Sequence, residues 1–133
     1  MSGKICVGHS GIELEDKVAE LATDLGLKVQ RQVEFGRRIW GAKRKVDVVL
    51  THPVSGESLG VECKMQDQPG SAEEKILATI QDIRAWPIKG VVVFGGNGFS
   101  ANMRSYLYST GMALELEQLD KWLRFHFRMV TGS

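Results

Sequence analysis

The chain has 133 residues, 43% of them hydrophobic and 25% charged, enough apolar material for the core of one domain and too much for a disordered or fibrous chain. Its net charge of +1 is no electrostatic signature by itself, so any nucleic-acid or membrane partner must be argued from where the charges sit. The longest uninterrupted apolar run, Val91 to Phe94, is far short of the ~20 residues a membrane span needs, and residues 1–11 lack the apolar centre of a signal peptide, so a cytoplasmic protein is expected.

Two cysteines, Cys6 and Cys63, fit reduced thiols better than a disulfide framework, and neither has the CxxC spacing of a zinc site. With no internal repeat and no low-complexity linker, residues 1–133 are expected to form one domain.

In chain order, Leu14, Val18, Leu21 and Leu25 recur at helical spacing between a candidate N-cap, Ser10, and a candidate stop, Gly26, which predicts a first helix over 12–25. Residues 28–35 alternate apolar and polar imperfectly and suit a strand. Between Arg37 and Lys45, five of nine residues are basic and none is acidic, a local patch expected to be a loop. Val46 to Leu50 is an apolar, β-branched strand interrupted by one acid, Asp47. The Pro53 and Gly56 turn then returns the chain as a second strand over 59–64, antiparallel to the first.

Past a loop with Pro69 and Gly70, residues 72–86 carry the helical stripe Ile76, Ile80 and Ile83, closed by Pro87. The nearly all-apolar run 88–94 reads as a strand covered on both faces. Residues 95–98 form its exit loop, lacking the lysine of a phosphate-cradling motif. A helix over 100–108, a short strand over 112–116 and a last helix over 118–129 complete the order αβββαβα(β)α, a mixed α/β (α+β) sheet flanked by helices. His9, His52 and His126 share no spacing and are expected to serve structure or face solvent.

The chemistry centres on three residues. On a strand, Glu62 and Lys64 point to one face while Val61 and Cys63 point into packing, and Asp47 lies on the strand paired with theirs. Two carboxylates held that close repel unless a proton or a hard divalent ion joins them. Such an ion activates water and neutralises charge on a phosphodiester, and a lysine beside it stabilises the same developing charge. Glu-x-Lys occurs three times, at 15–17, 62–64 and 73–75, but only the middle copy lies on a strand whose hairpin partner carries an acid within an apolar run.

Asp47, a turn, and then Val61-Glu62-Cys63-Lys64 resemble the D...(D/E)xK signature of the PD-(D/E)XK, or restriction-endonuclease-like, nucleases. Val46 stands where that family often has proline. The resemblance runs from about Gly11 to Phe94 and implies a restriction-endonuclease-like core, αβββαβ, with additional C-terminal helices. It implies a Mg²⁺- or Mn²⁺-dependent DNA endonuclease in which Asp47 and Glu62 bind the metal and Lys64 stabilises the transition state.

Glu15 precedes Gly26 by three turns, as a first-helix glutamate does in the archaeal Holliday-junction resolvases, which implies it as an additional metal ligand. Periodicity alone does not choose between Glu15 and Glu13. Gln81, about a quarter turn from the isoleucine stripe, and Lys75 are auxiliary candidates, since some members use a polar residue on that helix.

The basic residues Arg37, Arg38, Lys43, Arg44 and Lys45 run into the strand of Asp47, where they would grip a DNA backbone without reading sequence. Trp40 either caps the core or stacks on an exposed base. So small a catalytic core suits a two-fold homodimer or higher homo-oligomer presenting two sites to two strands. The alternatives are a non-catalytic DNA-binding module or an accessory subunit with the same fold.

Overall fold

Helical and alternating periodicities distribute the apolar side chains over the two faces of one sheet, giving three layers. The computed structural model describes residues 11–37, 43–65, 72–96 and 99–129, with backbone alone at 37, 43, 44 and 72–76. Its elements are α1 (Gly11–Asp24), β1 (Lys28–Arg37), β2 (Lys43–Thr51), β3 (Ser58–Met65), α2 (Ala72–Arg84), β4 (Lys89–Gly95), α3 (Ala101–Ser109), β5 (Ala113–Glu115) and α4 (Leu116–His126). The five strands lie in sequence order; β1, β2 and β3 pair antiparallel, and β3, β4 and β5 pair parallel. None of the described helices is long and apolar enough to cross a membrane.

On one face, Leu14, Val18 and Ala22 of α1 and Leu119 and Leu123 of α4 pack against Val48, Leu50, Val61, Cys63, Val91 and Val93. On the other, Ile80 and Ile83 of α2, Trp86, and Met103 and Leu107 of α3 cover Val49, Val92 and Phe94. Strand β4 is buried from Val91 to Phe94 and shared between both cores, as its unbroken apolar run requires.

Several boundaries differ from expectation for local reasons. The basic segment is not simply a loop: Arg37 ends β1 and Lys43 opens β2, and the two are register partners beyond Glu34↔Lys45, so ladder pairing extends the strands past their apolar residues. Helix α4 begins at Leu116 because Glu115 caps it, in a reciprocal capping box with Gln118. Helix α3 is capped by Ser100, whose side chain accepts from the Met103 N–H. Gly26 does close α1, with φ +89°. Ser10, Cys6, His9, Arg38 and Trp40 lie outside the described residues.

The side-chain alternation slips once on each of two neighbouring strands. Val29 packs with the α1 side and Val33 with the α2 side, although four residues apart on one strand should share a face. On β2, Val48 and Leu50 face α1 whereas Val46 joins Val49 on the opposite face. Both slips fall between the paired residues Arg31↔Val48 and Val33↔Val46, that is, at Gln32 and Asp47. Gln32 has the left-handed φ of +52°, a local reversal that re-aims the chain on both sides of it.

Two glycines set how α2 lies on the sheet. Gly60 and Gly90 are register partners, and the Trp86 indole lies directly over them. A Cβ at Gly60 would fall 2.5 Å from the indole, and one at Gly90 2.4 Å from it. Trp86 is almost fully covered, and its Nε1 donates to Asp82 at 3.4 Å. Gly90→Ala should therefore displace the ring and destabilise the fold by about 1–3 kcal/mol. Urea unfolding should show a lowered midpoint at unchanged slope. The Gly60→Ala/Gly90→Ala double variant should cost less than the sum of the singles, because one displaced ring accommodates both; strict additivity would refute the shared contact.

Candidate functional site

The β2–β3 ladder runs from Thr51↔Ser58 to Val48↔Val61, and the next residues across from one another are Asp47 and Glu62. There side chains take over from backbone. The Asp47 N–H donates to Oε1 of Glu62 at 3.0 Å, and the Cys63 N–H donates to Oδ2 of Asp47 at 2.9 Å. Each acid is fixed by the backbone of the opposite strand, an orientation no exposed ion pair could maintain.

Glu62 and Lys64 are half-buried on β3, while Val61 and Cys63 between and before them are buried, which is the expected alternation. Burial pushes the Glu62 carboxyl up to about 7, and the neighbouring charge of Asp47 adds to the rise; Asp82 on α2 adds less. The Asp47 N–H and the Lys64 ammonium oppose that rise. Cys63 is a free buried thiol, pushed up by burial and then by the charges of Asp47, Glu15 and Glu62, so it is a poor nucleophile.

Helix α1 delivers a third acid. Glu15 is 7% exposed, and Gln32 Nε2 donates to its Oε1 at 3.3 Å, to its Oε2 at 3.2 Å and to Oδ1 of Asp47 at 3.5 Å. Arg31 donates to Oε1 of Glu15 at 3.2 Å and pairs with Asp16 at 2.8 Å. The Asp16 hydrogen bond is the main influence raising the Arg31 guanidinium, with Glu15 reinforcing it against partial desolvation. A continuous chain Asp16–Arg31–Glu15–Gln32–Asp47 thus joins α1 to the strand pair, and Glu15 rather than Glu13 is its member.

Gln32 and Arg31 carried no sequence signal beyond the imperfect alternation of 28–35. Gln32 is neither ionisable nor part of a motif, and its left-handed backbone, costing about 1–3 kcal/mol in a non-glycine residue, is invisible in the letters. Gln81 is exposed on α2; the charge of its neighbour Asp82, among the described residues, reaches Glu62. Lys45 is exposed two residues before Asp47. The Nδ1 of His52 accepts from the Val54 and Ser55 N–H groups in the β2–β3 turn, and His126 stacks on Trp122 at 4.9 Å, so both serve structure.

The donor set suits a hard divalent cation. Among the described residues no group of three or more His, Cys, Asp and Glu side chains is gathered to hold a metal, and the Glu15 oxygens already accept from Arg31 and Gln32. Asp47 and Glu62 remain as an oxygen pair whose mutual repulsion a cation would relieve, and Mg²⁺ is commonly held by one or two carboxylates with water and substrate phosphate completing its shell. A cavity of about 530 Å³ beside Trp86, Lys89 and His126 lies at the other end of β3 and β4, where those strands begin, and takes no part in this arrangement.

The raised Glu62 value has a consequence for stability. Between its ordinary value near 4.5 and about 7 the folded chain holds a proton that the unfolded chain releases, so stability should fall as pH rises through that window and stay low above it. The full effect is about 3 kcal/mol. Glu62→Gln keeps the acceptor for the Asp47 N–H and removes the charge. Its urea midpoint should exceed that of the wild type at pH 8 and match it near pH 5; equal midpoints at both would contradict the burial of a charged Glu62.

Comparison with known proteins agrees with this arrangement. The model of the PD-(D/E)XK nuclease superfamily domain matches residues 8–125. Comparison with curated proteins gave no match. A solved protein of unknown function, AF1548, is similar in fold, with a TM-score of 0.54 at 17% identity over 77% of this chain and 55% of that one. Protein VC1899 from Vibrio cholerae aligns with a TM-score of 0.47 at 16% identity over 86% of this chain and 31% of that one. The chain thus spans about half the length of the first and a third of the second. Fold order, the Asp47/Glu62/Lys64 placement and a match across most of the sequence together assign this chain to the PD-(D/E)XK nuclease superfamily.

Proposed function

We propose that the chain is a divalent-metal-dependent endonuclease that hydrolyses phosphodiester bonds in DNA. The observation that carries this reading is the reciprocal clamp of Asp47 and Glu62, two acids fixed by each other's strands with Glu62 held near neutrality. Asp47 and Glu62 would hold Mg²⁺ or Mn²⁺, with Glu15 close behind them through Gln32. When bound, the ion supplies an acidified water and offsets charge on the phosphate.

The chain's own groups do the rest. Lys64, on the same strand face as Glu62, offers an ammonium to the charge that builds on the phosphate oxygens. Its attraction already acts on Glu62, which places its positive charge within electrostatic reach of the pair. The β2–β3 backbone ladder ends at these two acids, which is where a polymer substrate would approach them.

Arg37, Arg38, Lys43, Arg44 and Lys45, on and between the two strands that lead to Asp47, would contact the backbone through charge, with Trp40 available to an unstacked base. A two-fold homodimer would set two such sites against the two strands of a duplex.

Supercoiled plasmid incubated in Mg²⁺ or Mn²⁺ should be cut by the wild type and spared in EDTA. Asp47→Ala should lose activity by at least about 100-fold, and Lys64→Ala by about 10²–10³-fold. Nicking by Asp47→Ala equal to wild type would defeat the assignment, and cleavage of RNA in preference to DNA would redirect it. Linear product arising without accumulated nicked circles is expected of the dimer; nicks alone would exclude concerted cutting. For the basic strand ends, Lys45→Ala should weaken DNA binding across all sequences alike and reduce the slope of log affinity against log salt by about one. An unchanged slope would remove Lys45 from the interface.

A further inference from the structure

We infer that Gln32 is a positioning residue for the proposed metal centre: its side-chain amide fixes the Asp47 carboxylate and binds Glu15 to it, and the left-handed backbone at Gln32 exists to aim that amide. The inference rests on the reading of Asp47 and Glu62 as the metal-holding pair and adds a residue that the D...(D/E)xK signature does not contain.

Three observations converge on this position. The first is geometric: Nε2 of Gln32 lies 3.2 and 3.3 Å from the two Glu15 oxygens and 3.5 Å from Oδ1 of Asp47, so one amide spans acids from a helix and a strand. The second is conformational. Gln32 has φ +52° in the interior of β1, where neither glycine nor asparagine supplies an easy left-handed turn.

The third observation is topological. Both β1 and β2 exchange faces at the same level, so that Val29 and Val33, and likewise Val46 and Val48, belong to opposite cores. Extended backbone at Gln32 would restore strict alternation and turn its neighbours to the wrong faces.

The Asp47 carboxylate is thereby held from two sides, with Oδ2 accepting from the Cys63 N–H at 2.9 Å and Oδ1 facing Gln32. Removing the amide leaves Asp47 with one tether and frees it to rotate about its Cβ–Cγ bond. It also leaves Glu15 beside Asp47 without the donor that screens one acid from the other. Arg31, which binds Glu15 and pairs with Asp16, holds that acid in place but does not reach Asp47 among the contacts observed. Among the described residues, Gln32 therefore couples the two acids.

The test uses Gln32→Gly and Gln32→Asn, both of which tolerate the left-handed backbone and so preserve the strand. Without metal, hydrogen exchange of the Cys63 amide reports directly on the Asp47 tether. With Mn²⁺, electron paramagnetic resonance of the free aqua ion gives affinity, and steady-state cleavage separates kcat from KM. In Gln32→Gly the Cys63 amide should exchange about tenfold faster, Mn²⁺ affinity should fall about tenfold, and kcat should drop with KM for DNA unchanged. The thermal midpoint should equal or exceed that of the wild type.

Gln32→Asn, too short to span both acids, should fall in the same direction. Wild-type Cys63 exchange and wild-type Mn²⁺ affinity in Gln32→Gly would overturn the inference and leave the nuclease reading intact. A wild-type chain that binds no Mn²⁺ would instead overturn the metal centre, and with it the role of Gln32 there, whatever the exchange experiment gives.

Discussion

Everything about the candidate site depends on how β2 and β3 come apart. Within the ladder each backbone donor meets a backbone acceptor; one residue beyond Val48↔Val61, the Asp47 and Cys63 N–H groups are met by carboxylates instead. A backbone N–H left unpaired next to a core would cost as much as a lost hydrogen bond, so the two acids complete the secondary structure where the strands part. Their orientation is inherited from the sheet. The cost is electrostatic, borne by Glu62, whose burial beside Asp47 holds it near neutrality instead of fully ionised.

The surrounding layers are arranged so that this strain does not spread. Core side chains on the α1 face of β3 and on both faces of β4 hold the strands at the level of Val61 and Val91, below the separation. Trp86, seated on Gly60 and Gly90, fixes the end of α2 and donates to Asp82, the weakest of the influences on Glu62. Helix α1, packed through Leu14 and Val18, brings Glu15 up from the opposite face. The site is therefore assembled where an antiparallel hairpin meets the parallel part of a mixed sheet, with a helix contributing from each side.

Much of this was legible in the letters because it follows from period and composition. The element order, the two-residue spacing of Glu62 and Lys64, the burial of Val61 and Cys63 and the pairing of Asp47 with that strand all follow from alternation, and alternation is local. What was illegible depends on departures from it. The exchange of faces at Gln32 and Asp47 goes with a left-handed backbone at a residue that is here not glycine, so no turn residue in the letters marks it. The choice of Glu15 over Glu13 needed the direction of a helix relative to a sheet, which no single helix encodes. The extension of β1 and β2 into the basic segment needed strand pairing, since lysine and arginine are indifferent strand formers.

The turned backbone at Gln32 also bears on how molecules of this chain meet one another. Strand β1 is an outer strand of the sheet, ten residues long, and an outer strand of that length ordinarily offers an open row of amides and carbonyls onto which a neighbouring chain can add. A left-handed residue near its middle breaks that row into two short pieces that no straight strand can follow, and Lys28, Arg31 and Glu34 lie exposed along it. The same irregularity that brings an amide to two acids thus blunts the sheet's flank against the addition of a further strand.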